Sequence, residues 1–115
     1  MKNWDTDETK DLLKAIVSLE STAEAKKFLR DLLTEAELVE FGKRWRAAQM
    51  LSVSIPYSQI VTATGLSSTT VARISKWLAK GTGGYQLMLK RMGKPSFLNN
   101  ESIEAKKKSL TKKAL

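Results

Sequence analysis

The chain has 115 residues, a formal net charge of +8 and neither cysteine nor histidine. That length suits one domain, and the missing residue types exclude a disulfide framework, a thiolate metal site, a cysteine nucleophile and the commonest general base. Residues 1–10 are polar and acidic and no long apolar run follows, so neither a signal peptide nor a transmembrane helix fits, and the expectation is a cytoplasmic protein without a membrane partner.

Two prolines and six glycines, with apolar residues recurring at a period near 3.6, predict an all-α fold. A first helix is expected over Asp7 to Leu19, with Leu12, Leu13, Ile16 and Val17 on its buried side. Asp7, Glu8 and Asp11 suit the positive end of its dipole. Ser21 and Glu24 form a capping box, in which each side chain satisfies a free backbone N–H of the other. The helix it opens has Ala25, Phe28, Leu29, Leu32 and Leu33 as its apolar stripe. Thr34 and Glu37 repeat the device and open a long third helix to about Val53, striped by Leu38, Phe41, Trp45, Ala48 and Leu51. Ser54-Ile55-Pro56 breaks it, since proline cannot continue the hydrogen-bond ladder.

Two short helices follow, from Tyr57 to about Lys80, and they have the pattern of a helix-turn-helix. Gly65 can take positive φ and end the first without a Cβ penalty. Leu66 can plug between the two, and Ser67 is a good N-cap for the second. Ile60, Val71, Ile74 and Leu78 provide the shared core. Ser68, Thr69, Ala72, Arg73 and Lys76 then fall on or near the opposite face. Short side chains let a helix lie deep in a major groove, hydroxyls bond phosphate or base edges, and Arg73 can fork onto phosphate or guanine. With Ser58, Ser67 and Thr70 these residues make up the candidate DNA-binding set. After the loop Gly81-Thr82-Gly83-Gly84, a last helix is expected from Tyr85 to Met92, ended by Gly93-Lys94-Pro95. The domain is read as residues 1–93, and residues 94–115 as a basic, loose tail.

Charge is distributed unevenly. Residues 1–40 hold ten acids against six bases, whereas the sixty residues from Phe41 to Asn100 contain no Asp or Glu and nine Lys or Arg. The tail adds two acids and five lysines. Such a half-molecule carries a positive field, and nucleic acid is the commonest polyanion it could meet.

With these residues the chain resembles the Trp repressor superfamily, particularly its YerC/YecD-type branch. The likeness spans roughly residues 20–92. It rests on Leu32-Leu33-Thr34-x-x-Glu37, on Arg44 one turn past Phe41, on Thr64-Gly65-x-Ser67-x-x-Thr70-Val71-x-Arg73, and on Gly81-x-Gly83-Gly84-Tyr85. The resemblance implies an intertwined homodimer whose two readers enter successive major grooves of a roughly palindromic duplex. It also implies that Thr70 contacts phosphate, with Ser68 and Thr69 near base edges. Thr34, Arg44 and Arg73 match the positions that hold the repressor's corepressor, and so form a possible effector pocket. Lys43 and Trp45 depart from the repressor pattern beside that pocket, as does Ile74-Ser75. The expectation is therefore no cofactor and no tight L-tryptophan binding, a different small corepressor remaining possible. Trp45, at stripe spacing, is read as core.

The sequence thus favours a dimeric, sequence-specific transcriptional regulator, acting as a repressor on double-stranded DNA. The alternative is a non-specific nucleic-acid-binding or RNA-binding protein using the basic body and tail. Its 7% aromatic content is low for single-strand stacking platforms. A third possibility is a helix-turn-helix that only packs on a protein partner, which the cations around Arg73 and Lys76 make less natural. An enzyme is the weakest reading. The acids sit in capping boxes, first helical turns or the tail, and Ser67, Ser68 and Ser75 have no nearby base.

Overall fold

The computed structural model describes residues 3–93 together with Pro95 and Phe97. Among these residues there are six helices and no strand: α1 (Asp7–Val17), α2 (Thr22–Leu32), α3 (Glu35–Ser52), α4 (Tyr57–Thr64), α5 (Ser68–Lys80) and α6 (Gly84–Met92). The all-α expectation holds. The tail expected over residues 94–115 lies, Pro95 and Phe97 apart, outside the described residues. The chain divides into two compact units, Met1–Phe41 and Gly42–Leu115, with the division falling inside α3.

In the first unit each helix begins with a side-chain cap. Thr6 Oγ1 accepts from the Thr9 N–H at 3.1 Å, and Ser21 Oγ accepts from the Glu24 N–H at 3.1 Å. The Glu24 carboxylate reaches back to the N–H of Glu20, at 3.0 Å, one residue beyond the Ser21 N–H that the box predicts. The Thr34 box closes in both directions. Glu37 N–H donates to Thr34 Oγ1 at 3.1 Å and Thr34 N–H donates to Glu37 Oε1 at 3.0 Å. That backbone N–H, and then the Thr34 side chain, hold the Glu37 carboxyl below its ordinary value.

The apolar stripes of this unit do not make a core. Leu12 is half-buried, but Leu13, Ile16 and Val17 are exposed, contrary to the buried side expected for α1. No residue from 3 to 41 is buried. The helices have formed their amphipathic faces, and nothing within the unit is large enough to cover them.

The second unit has a true core. Ala47, Ala48 and Met50 of α3 join Ile55, Ile60, Leu66, Val71, Ile74 and Phe97. The predicted α3 stripe is only partly right, because Ala48 is buried as expected while Trp45 and Leu51 are half-buried and Phe41 is exposed. Ala47, Ala48 and Met50 span an arc of about 160° at the α-helical rotation. A single stripe cannot describe a helix end that is covered over so wide an arc. Ser54 stops α3 with a positive φ of 62°, and the Ile55 N–H donates to Met50 O at 3.1 Å. Ile55 thereby turns into the core before Pro56 begins the next helix. Phe97, in the segment read as tail, is 5% exposed and belongs to this core. The Arg46 guanidinium lies over its ring, 4.7 Å from the centroid.

Candidate nucleic-acid interface

Helices α4 and α5 pack on one another, and α5 packs on α6. The turn between α4 and α5 is built as its sequence requires. Gly65 has φ 77° and its N–H closes α4 onto Val61 O at 2.8 Å. Leu66 is buried, and the fully buried Ile60, Val71 and Ile74 complete the contact. Leu78, expected in the same core, is only half-buried; its carbonyl accepts from Gln86 Nε2 at 2.6 Å, tying the end of α5 to α6.

Burying Val71 and Ile74 fixes the opposite face of α5. Ser68, Thr69, Ala72, Arg73 and Lys76 are all exposed. No carboxylate occurs between Glu40 and Glu101, so the sequence around this face offers Arg73 and Lys76 no acid. Ser67 is also exposed, but its hydroxyl is engaged twice within the helix start. It accepts from the Thr70 N–H at 3.1 Å and lies 3.0 Å from Thr70 Oγ1 as donor. These bonds make the cap that holds α5 in register. The same bond leaves the half-buried Thr70 hydroxyl able to donate its own proton outward.

Ser58 is exposed in the first turn of α4. The α4 N-cap is Pro56, which offers no side-chain acceptor. The first N–H groups of that helix therefore keep donor capacity for an anion. Thr34, Arg44 and Arg73, the possible effector set, are each placed on a helix or its cap. The Thr34 hydroxyl is occupied by Glu37 N–H, Arg44 is half-buried on α3, and Arg73 is exposed on α5. Arg44 acts electrostatically on Tyr85, whose phenol is pushed above its ordinary value by burial, the Arg44 charge partly opposing this.

Trp45 packs against the core and stacks on Tyr85, with ring centroids 6.4 Å apart and an interplanar angle of 16°. These two rings, with Trp77, Thr82 and Met88, line an open cavity of about 530 Å³ beside the end of α5. Sequence spacing identified Trp45 as core but gave no sign of the cavity, because Trp77 and Tyr85 join it through the turn at Gly81–Gly84. Among the described residues no group of acids is placed to hold a metal ion. No helix there is long and apolar enough to cross a membrane.

Two helices joined at Gly65, with an exposed polar and cationic face on the second, define a helix-turn-helix of the nucleic-acid-binding class. Residues 7–93 match the family described as Trp repressor protein, and the chain belongs to that family. It is 33% identical over 81 residues to YerC of Bacillus subtilis (strain 168), covering 70% of this chain and 78% of that protein. The crystal structure of a TrpR like protein from Eubacterium eligens ATCC 27750 superposes with a TM-score of 0.74 at 32% identity, covering 77% of this chain and 92% of the other. A Staphylococcus aureus structure gives 0.73 at 29% identity, with coverage of 78% and 90%. The family is one of helix-turn-helix DNA-binding regulators, not of enzymes.

Proposed function

We propose that this protein is a cytoplasmic, sequence-specific transcriptional repressor that binds double-stranded DNA as a homodimer, with α5 as reader in the major groove. The observation that carries this reading is the exposed face Ser68, Thr69, Ala72, Arg73 and Lys76, held rigidly above the buried Val71 and Ile74 within an acid-free stretch. Ser68, Thr69 and Ala72 bring the helix close to base edges, Arg73 supplies a fork for guanine or phosphate, and Thr70 donates to phosphate. Ser58 and the start of α4 meet the neighbouring backbone, while Ser67 positions the reader through its cap.

The dimer is supported by what the first unit leaves uncovered. Leu13 is 47% exposed and Val17 83% exposed, on helices whose amphipathic pattern is otherwise well formed. Leu87, Met88 and Met92 of α6 are exposed as well. Large apolar side chains left exposed along an amphipathic helix fit an interaction surface, and a second copy would supply matching surfaces by two-fold symmetry. Two readers then address half-sites about one helical turn apart.

Arg73→Ala tests the reader directly. Fluorescence anisotropy should show a loss of about 1–3 kcal/mol on specific duplex and a smaller loss on random duplex. Equal binding of both duplexes by variant and wild type would show that α5 is not the reader. Preference for random single strands over duplex would favour the non-specific alternative.

A further inference from the structure

Lys43 stands outside the helix-turn-helix in sequence, yet its side chain ends there. It is half-buried on α3, and its Nζ lies 3.7 Å from the point where a Cβ on Gly65 would project. Among the described residues no ion pair engages it. Two general effects favour an ammonium at this place. The final carbonyls of α4 are free of intrahelical partners and carry the negative end of that helix's dipole. The stem is already part-covered, so less freedom is lost when the head makes a contact.

The charge therefore sits beside Gly65 in the turn, two residues before the Ser67 cap of the reader. Ser68 and Thr69, the first residues of α5, follow that cap and are exposed. A duplex whose groove receives that end of α5 must carry its sugar-phosphate backbone past the turn. A compact, hydrated ammonium is suited to such a phosphate as a point charge, without the bidentate geometry of an arginine.

We propose that Lys43 is a phosphate-contacting residue of the DNA interface, contributed by α3 and fixed against Gly65. The contact rests on the duplex-binding reading above. It adds affinity without sequence choice, because the phosphodiester is the same at every step. Each such contact releases counterions and so steepens the dependence of binding on salt.

The test compares full-length wild type, Lys43→Gln and Lys43→Arg on one selected duplex and one random duplex across a salt series. Lys43→Gln should weaken both complexes to the same degree and lower the slope of log K against log salt by about 1. Lys43→Arg should restore most of the slope. Thermal melting of the same proteins separates this from a purely structural role. A Lys43→Gln variant that melts earlier but keeps the wild-type slope would overturn the proposal, since the lysine would then only cap α4. A wild type that shows no salt-dependent duplex binding would overturn the functional reading and this contact with it. An unchanged slope in the variant beside a steep wild type would overturn the contact alone.

Discussion

Thr64 and Leu66 are joined by a hydrogen bond across the helix-turn-helix turn, the Leu66 N–H donating to Thr64 Oγ1 at 3.2 Å. The same hydroxyl donates to Ile60 O at 2.7 Å. Thr64 is the buried polar residue among those described, 7% exposed. Its hydroxyl thus satisfies a buried donor in the turn that no helix could reach, and it locks Leu66 into the core at the point where the chain reverses.

Thr64→Val keeps the shape and removes the hydroxyl, leaving the buried Leu66 N–H without that acceptor. The expected loss is about 1–3 kcal/mol in chemical denaturation. Thr64→Ser, which retains the hydroxyl, should lose less. A Val variant as stable as wild type would mean that the bond does not hold the turn.

Gly65 and Gly42 make an opposed pair. Gly65 has φ 77°, so Gly65→Ala should cost about 1–2 kcal/mol for conformational reasons alone, because the new methyl meets only the Lys43 Nζ at an ordinary 3.7 Å. Gly42 lies inside α3 with nothing within 4 Å of an added Cβ, and Gly42→Ala should gain about 0.5–1 kcal/mol from helix propensity. The two melting temperatures should move in opposite directions. Movement of both in the same direction would contradict the assigned backbone conformations.

The uncovered face of α1 gives a prediction about assembly. Sedimentation equilibrium at micromolar concentration should give about twice the chain mass of 12.8 kDa. Leu13→Glu with Ile16→Glu changes residues that are exposed within the single chain, so it would leave a monomer undisturbed. In a dimer it should abolish association and lower duplex affinity by more than tenfold, since one reader then binds alone. Wild type at the single-chain mass would contradict the dimer.

The parts of this fold legible in the sequence are those decided locally. Capping at Ser21, Thr34 and Ser67, the positive φ at Gly65, and the alternation that buries Val71 and Ile74 while exposing Ala72 and Arg73 depend on neighbours within a turn or two. The features that sequence reading missed depend on distant partners. Phe97 becomes core through partners distant in sequence, with the Arg46 guanidinium of α3 lying over its ring. Ala47 and Met50 are buried because the end of α3 is covered over a wide arc. Lys43 reaches Gly65 from a different helix. The α1 stripe was correctly recognised as apolar, but its burial cannot be met inside one chain's first unit. In the candidate interface, the Ser67 cap expected from the sequence is present, its hydroxyl bonded to Thr70.

The central claim, a two-fold pair of α5 readers on duplex DNA, is tested most directly by in vitro selection of bound duplexes from a random pool. The account predicts enrichment of a roughly palindromic consensus with half-site centres about one helical turn apart, lost when the selection is repeated with Arg73→Ala. Recovery of unrelated duplexes without a shared sequence, or a consensus unchanged by Arg73→Ala, would contradict it.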